Sequence, residues 1–168
     1  MKQLASVDTL VQQMSDDLRT VLEQRGIREP AIIGIHSGGA WVAQALHRKL
    51  APETPLGTLD IAFYRDDVGT RGVHPQVRPS NLPFSVDNRD IILVDDVLYS
   101  GRTVRAALNE IFDFGRPRRV LLAVLVDRGE RALPIAADVV GTRITLEQGQ
   151  RVKLQGPSPL ELTIQDAA

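Results

Sequence analysis

The sequence predicts an α/β protein with a central, mostly parallel sheet that is flanked by helices. Near-continuous apolar segments of four to seven residues alternate with longer segments of helical periodicity, which is typical of a parallel sheet covered on both faces. Three of the apolar segments run directly into polar or glycine-rich turns. Ligand sites of open α/β sheets lie at such positions. No repeat or linker divides the 168 residues, so residues 1–168 are expected to form a single domain.

The first half of the chain begins with an amphipathic helix. Apolar residues recur at helical spacing from Leu4 to Leu22, and Gly26 and Pro30 end the helix. The pattern then predicts a strand, a helix and a second strand, at 31–35, 40–50 and 58–64.

The second half repeats the alternation of strand and helix. Strands are predicted at 91–94, 120–126 and 137–140, a helix at 103–114, and two weaker strands at 152–154 and 160–164. The segment 65–83 between the halves carries glycines, prolines and charges with little periodicity. A connection of this length inside a domain is usually a functional lid or disordered.

Composition excludes several classes of protein. The chain has no cysteine, so disulfides, zinc–thiolate sites and thiol nucleophiles are ruled out. The formal net charge of -1 produces no overall attraction to nucleic acid or anionic membranes. No apolar run is long enough to cross a membrane, and the first residues do not resemble a secretory signal, so a cytoplasmic location is expected.

Arginine is strongly preferred over lysine, with 17 Arg against 3 Lys. The planar guanidinium binds phosphate and carboxylate groups through two parallel hydrogen bonds, so the bias suits a protein that recognises phosphates. A GC-rich gene explains the same bias equally well.

The most informative segment is IILVDDVLYSGRTV at 91–104, which reads as strand, paired carboxylates, small-residue loop and helix. Asp95 and Asp96 can accept hydrogen bonds from sugar hydroxyls or hold the water shell of Mg²⁺. An isolated Asp pair is more often a helix cap or a hydrated turn. Neighbouring residues at a strand end also point in opposite directions, so the two need not share a proton.

The loop after the carboxylates favours phosphate binding. Ser100 and Thr103 carry hydroxyls, Gly101 permits close backbone approach, and the following helix presents free N–H groups and the positive end of its dipole. A Ser/Thr helix cap is the simpler alternative. The spacing GxxxxGK[ST] is absent, which argues against a nucleoside-triphosphate loop.

Two further turns follow predicted strands, at 36–39 and 127–129. Because the carboxyl ends of parallel strands meet at one edge of a sheet, both turns are expected to join the 95–103 segment in one site.

The segment VDDVLYSGRTVRAAL resembles the phosphoribosyl-diphosphate signature of type I phosphoribosyltransferases. Further segments resemble the branch of that family that joins uracil phosphoribosyltransferase activity to regulation of pyrimidine operons. These are AFYRDDV at 62–68, NLPF at 81–84, FGRP at 114–117 and LAVLVDRGERALPIAADVVG at 122–141. The resemblance implies the type I phosphoribosyltransferase fold with a flexible hood, and conversion of uracil and phosphoribosyl diphosphate to UMP and diphosphate with Mg²⁺.

The resemblance also implies roles for individual residues. Asp95 and Asp96 would contact the ribose and hold Mg²⁺ mainly through substrate and water, and with Arg65 they are the expected catalytic residues. The diphosphate loop would be Ser37, Gly38 and Gly39, and the 5′-phosphate loop Leu98, Tyr99, Ser100, Gly101, Arg102 and Thr103. Val126, Asp127 and Arg128 would bind the base. The hood would be 65–83, with Arg65, Arg71 and Arg78 as its cations.

Three departures from the family pattern leave alternatives open. Position 38 is glycine where many relatives carry a cation, so a UMP-sensing regulator with little or no activity remains an alternative. Tyr99 stands where purine enzymes have an acidic group, which favours uracil over a purine; a phosphoribosyltransferase for orotate or a purine is a third interpretation.

The family also suggests a homodimer or a dimer of dimers, with Trp41 as a core or interface residue.

The third departure concerns RNA. Relatives that bind leader mRNA use a basic face on the first helix, which here carries Asp8, Asp16, Asp17 and Glu23 and would repel phosphate. The remaining candidate patch is Arg116, Arg118, Arg119, Arg131, Arg143, Arg151 and Lys153. A scattered, solvated surface is the alternative interpretation.

Overall fold

The computed structural model describes residues 4–50, 53–61 and 80–166. Of the expected hood, 65–83, residues 65–79 with Arg65, Arg71 and Arg78 lie outside the described residues. The elements in chain order are α1 (Val7–Gln24), β1 (Ala31–Ile35), α2 (Gly38–Leu50), β2 (Leu56–Leu59), β3 (Asp90–Leu98), α3 (Arg102–Phe114), β4 (Arg119–Asp127), β5 (Val139–Arg143), β6 (Gln150–Gln155) and β7 (Glu161–Asp166).

Five strands form one parallel sheet in the order β2-β1-β3-β4-β5. β6 and β7 form a separate antiparallel hairpin. The predicted α/β class with a mostly parallel sheet is therefore confirmed. β3 lies at the centre, paired with β1 on one side and β4 on the other, so its carboxyl end is flanked by two neighbouring strand ends.

The core has two layers because alternate residues of β3 face opposite sides of the sheet. Ile92 and Val94 pack with the buried faces of α1 and α2. Ile91 and Leu93 pack with α3 on the other face. All four are at most 1% exposed, and burial of each such side chain contributes about 1.5–3 kcal/mol.

The first helix forms as its periodicity predicts. Its buried residues are Val7, Leu10, Val11, Met14, Ser15 and Leu18. The Ser6 hydroxyl caps the helix by accepting a hydrogen bond from the N–H of Thr9 at 3.2 Å. None of the helices in the described part of the chain is long and apolar enough to cross a membrane.

Two predicted strand bounds were wrong. The strand expected at 58–64, whose last three residues lie outside the described residues, is β2, Leu56–Leu59, which pairs with the last four residues of β1. The strand expected at 137–140 is β5, Val139–Arg143, whose pairing follows β4 to its last residue, Asp127. In both cases the neighbouring strand sets the bounds, which a local sequence pattern does not contain.

The strand expected at 91–94 is also longer in the structure. β3 continues through both aspartates to Leu98, because β4 pairs with it as far as the Leu98–Asp127 register pair. The two carboxylates therefore lie within a strand and not in a turn that follows it.

Candidate active site

A cavity of about 560 Å³ lies at the carboxyl ends of β1 and β3. Most of the residues predicted for the sugar-phosphate site line it: Ser37, Gly38, Asp95, Asp96, Leu98, Tyr99, Ser100, Gly101 and Thr103. Gly39 is buried next to it, since a Cβ at this position would lie 2.7 Å from the carbonyl oxygen of Val94. Arg102 begins α3, is exposed and does not line the cavity.

The two aspartates have different environments, as expected for neighbouring residues of a strand. Asp95 is 3% exposed, whereas Asp96 is half-buried beside the cavity. The N–H of Asp96 donates to Oδ1 of Asp95 at 2.9 Å, and the N–H of Val97 donates to Oδ1 of Asp96 at 2.9 Å. Each carboxylate is thus held by the following backbone amide. The pair is not arranged as a dyad that shares a proton.

Gly38 is explained by its contact with Asp96. A Cβ at position 38 would lie 2.2 Å from Oδ2 of Asp96 and 2.6 Å from its Cγ. Any side chain there would have to displace the carboxylate. Glycine at position 38, where many relatives carry a cation, therefore leaves room for the Asp96 carboxylate beside the first residues of α2.

The phosphate loop has the geometry of an open helix N-terminus. Gly101 has φ +94°, a left-handed conformation that glycine adopts without strain. It is the N-cap residue of α3 and supplies no side chain to the helix end. The Ser100 hydroxyl accepts a hydrogen bond from the N–H of Arg102 at 3.2 Å. Backbone amides and the helix dipole at this end favour an anion such as a phosphate.

The residues expected to bind the base lie beside the cavity but do not line it. Val126 is fully buried in the core. Asp127 is the register partner of Leu98, and the N–H of Arg128 donates to the carbonyl of Leu98 at 3.1 Å. The Arg128 guanidinium carbon lies 4.0 Å from the centre of the Tyr99 ring, which is a cation–π contact.

The Asp127 carboxylate is held in its charged form. Burial raises the pKa of Asp127, but hydrogen bonds from the Arg131 guanidinium and the Gly129 N–H, together with the charges of Arg131 and Arg143, outweigh burial. The resulting pKa lies below the ordinary value for an aspartate. Asp127 is therefore a fixed anion next to the phosphate loop.

Six lining residues were missed by sequence reasoning as parts of the site: Trp41, Val97, Val104, Val152, Lys153 and Leu154. Trp41 and Val97 pack with Val152 and Leu154 of β6, so the hairpin forms an apolar wall of the cavity. The spacing of Trp41, three residues after Gly38, was a usable signal because it places the ring one helical turn beyond the diphosphate loop. No local sequence pattern indicated that β6 would line the cavity.

The residues considered as an RNA-binding patch are separated by the sheet. Arg116, Arg118 and Arg119 lie at the amino end of β4, whereas Arg131 follows the carboxyl end of β4 and Arg143 is the last residue of β5. β4 is nine residues long, and its two ends are about 27–30 Å apart. The prediction of one continuous patch is not supported by this arrangement.

The donor set at the cavity suits Mg²⁺ bound through a ligand. Within residues 4–50, 53–61 and 80–166, no group of three or more His, Asp or Glu side chains could hold a metal ion by itself. Asp95 and Asp96 offer carboxylate oxygens at the cavity, and Mg²⁺ prefers oxygen ligands while keeping several waters. The two carboxylates would hold the ion through its waters, with a bound phosphate completing its shell.

Comparison with known proteins identifies the family of this chain. Residues 2–156 match the phosphoribosyl transferase domain family. A curated relative from Pseudomonas fluorescens Pf-5, named bifunctional protein PyrR, is 55% identical over 159 residues that cover 95% of each chain. A relative of the same name from Pseudomonas aeruginosa LESB58 is 58% identical over 153 residues, which cover 91% of this chain and 90% of the relative.

Solved structures give the same fold at much lower identity. A hypoxanthine phosphoribosyltransferase from Staphylococcus aureus superposes with a TM-score of 0.65 at 19% identity, over 89% of this chain and 80% of that chain. A hypoxanthine-guanine phosphoribosyltransferase from Bacillus anthracis superposes with a TM-score of 0.67 at 19% identity, over 86% and 84%. The chain therefore belongs to the phosphoribosyl transferase domain family, within the group of the bifunctional PyrR proteins.

Proposed function

We propose that the protein is a uracil phosphoribosyltransferase that also regulates pyrimidine biosynthetic genes in response to UMP. The reaction converts uracil and phosphoribosyl diphosphate to UMP and diphosphate. The observation that carries the proposal is one cavity that joins two strand-held carboxylates to an open helix N-terminus. That combination suits a ribose 5-phosphate unit.

We assign each part of the substrate to a chemical environment in the cavity. The 5′-phosphate would occupy the loop Tyr99–Thr103, where backbone amides and the α3 dipole attract anions. The ribose hydroxyls would donate to Asp95 and Asp96. The leaving diphosphate would lie against the backbone of Ser37–Gly39, at the start of α2.

The chemistry requires little covalent participation by the protein. The bond between the anomeric carbon and the diphosphate oxygen breaks, the carbon bonds to N1 of uracil, and the proton of N1 passes to the departing diphosphate. Positive charge develops on the ribose, as in glycoside hydrolysis, and the nearby carboxylate of Asp96 stabilises it. Mg²⁺ bound to the diphosphate would neutralise part of the charge that the leaving group gains. Positioning and electrostatics would supply most of the rate enhancement.

The apolar wall suits the faces of a pyrimidine ring. Val97 on β3 and Val152 on β6 both line the cavity next to Trp41. A ring held between such side chains would direct its polar edge towards the next strand, where Asp127 and Arg128 follow β4. The Tyr99 ring is stacked on Arg128 and leaves no acidic group at this position, which favours uracil over a purine.

A UMP-sensing regulator with little catalytic activity is the second candidate. The observation that favours it is the contact between Gly38 and Asp96, because the diphosphate loop has no cation at position 38 and a carboxylate occupies the adjacent space. A negative group there would weaken binding of the diphosphate while leaving UMP binding intact.

An activity assay separates the two candidates. The protein is incubated with phosphoribosyl diphosphate, Mg²⁺ and labelled uracil, and UMP formation is followed. We expect product well above that of an Asp96→Asn variant. If product does not exceed the variant while UMP still binds by calorimetry, the enzyme is excluded and the sensor stands.

The regulatory half is tested with RNA. A filter-binding titration with the leader of its own pyrimidine genes, with and without UMP, measures affinity and specificity. UMP-dependent binding that a scrambled RNA does not reproduce supports regulation through RNA. Equal affinity for both RNAs rejects it, consistent with the exposed Asp8, Asp16, Asp17 and Glu23 of α1.

A further inference from the structure

The segment after β4 folds across the phosphate loop. We call residues 128–135 the strap. The N–H groups of Ala132 and Leu133 both donate to the carbonyl of Ser100, at 2.9 and 3.0 Å. Ile135 packs on Gly101, since a Cβ there would lie 2.9 Å from Cγ1 of Ile135. The strap therefore contacts the phosphate loop directly through Ala132, Leu133 and Ile135.

Arg131 is the centre of this contact. Its Nη1 donates to the carbonyl of Tyr99 at 2.8 Å, and its Nε donates to the carbonyl of Ile135 at 2.9 Å. Its Nη2 donates to Oδ2 of Asp127 at 2.7 Å. A longer contact joins Nη1 to the carbonyl of Gly129 at 3.5 Å. The side chain is 24% exposed, so these bonds are only partly accessible to water.

These acceptors belong to two parts of the site. Tyr99 is a residue of the phosphate loop, whereas Asp127 and Gly129 belong to the segment expected to bind the base. One guanidinium thus connects the two parts. Arginine is suited to this because its donors lie in a rigid plane, while lysine carries a compact group on a flexible stem.

We propose that Arg131 is a positioning residue that sets the spacing between the phosphate loop and the base-binding segment. The inference rests on the proposed function, since it concerns the same site. A change at Arg131 should therefore affect mainly those ligands that contact both the phosphate loop and the base-binding segment. UMP carries both a base and a 5′-phosphate, whereas ribose 5-phosphate contacts only the phosphate loop and the carboxylates.

The test compares Arg131→Lys with the unmodified protein by calorimetry, using UMP and ribose 5-phosphate as separate ligands. Lysine keeps a positive charge near Asp127 but cannot reach all the acceptors at once. We expect the dissociation constant of UMP to rise about tenfold and that of ribose 5-phosphate about twofold or less. The ratio of the two constants is the measured quantity.

Arg25→Lys is the matched control. Arg25 forms an ion pair of the same type with Asp138 at 2.9 Å, just before β5 and away from the cavity. We expect its ratio of dissociation constants to equal that of the unmodified protein. The thermal midpoint of each variant is recorded so that binding is measured well below unfolding.

The outcomes are distinguishable. If Arg131→Lys lowers the thermal midpoint while both dissociation constants rise by the same factor, Arg131 is merely structural and the inference is overturned. Unchanged constants for both ligands overturn it as well. If the unmodified protein binds neither ligand, the proposed function itself is wrong, and the inference falls with it.

Discussion

The two ends of β3 carry carboxylates in opposite situations. At the amino end, Asp90 is 3% exposed and forms ion pairs with Arg118 at 2.5 Å and Arg119 at 2.8 Å. At the carboxyl end, Asp95 and Asp96 accept hydrogen bonds from backbone amides and line a cavity. The charge of Asp90 is therefore balanced by arginine side chains, whereas the carboxylates of Asp95 and Asp96 are held by backbone amides.

The difference separates stability from function. The hydrogen bond from Arg119 is the largest influence on Asp90; with Arg118 it overcomes burial and lowers the pKa of Asp90 to about 2 from its usual 3.8. A carboxylate so fully paired stabilises the fold but has no capacity left for a ligand. Asp95 and Asp96 at the other end line a cavity, which is where a ligand site needs its carboxylates.

The largest expected effect is on activity, from Asp96→Asn. We expect kcat/KM for UMP formation to fall about a hundredfold, because the variant removes a charge that stabilises the transition state. The free energy of unfolding should change by less than about 0.5 kcal/mol, since Asp96 is half-buried and accepts only a local amide. Asp113→Asn, on the exposed side of α3, is the control and should keep full activity. Equal kinetics in the two variants would contradict the assignment.

The next effect is on stability, from Asp90→Asn. We expect a loss of about 2 kcal/mol in the free energy of unfolding at pH 7, with kcat/KM unchanged at temperatures where the variant is folded. Because the pKa of Asp90 is lowered in the folded state, its contribution is complete above about pH 4 and is lost as the pH falls through about 2. Urea titrations at several pH values measure both proteins, and the difference between them should shrink across that window. A pH-independent difference would refute the pairing as its cause.

A smaller effect on activity is expected from Gly38→Ala. The new Cβ must displace the Asp96 carboxylate, so the KM for phosphoribosyl diphosphate should rise about tenfold. Position 38 begins α2, where alanine favours the helix, and this gain is offset by displacement of the Asp96 carboxylate, so stability should change little. Steady-state kinetics and thermal unfolding test both statements. In an Asp96→Ala background, the same change should have little further effect, and additive effects would show that the two positions are independent.

The smallest effect is expected from Arg118→Gln. Its side chain is 54% exposed, and Arg119 still pairs with Asp90, so the loss should be below about 1 kcal/mol. Both arginines bond both carboxylate oxygens of Asp90. Arg119→Gln should cost more, because the Arg119 side chain is less exposed and its Nη1 also donates to the carbonyl of Arg25 at 3.1 Å. Chemical denaturation of the two variants ranks them. The reverse order would show that Arg118 dominates at the amino end.

The local elements of this protein and its loop residues could be predicted from the sequence alone. The α/β class, the helix α1 and the order of strand, carboxylates and phosphate loop at 91–104 were all predicted, because periodicity and loop residues act within a few positions of the chain. The same signals failed at the bounds of β2, β3 and β5, which depend on the strands alongside them.

The assembly of the site depends on packing between distant parts of the chain. The tertiary structure placed Gly38 against Asp96, brought Val152 to the wall of the cavity, and connected Arg131 to Tyr99 across the strap. It also divided the arginines between the two ends of the sheet. Each of these contacts joins residues that are far apart in the chain. Their distances depend on strand register and helix packing, which the pattern of one segment does not encode.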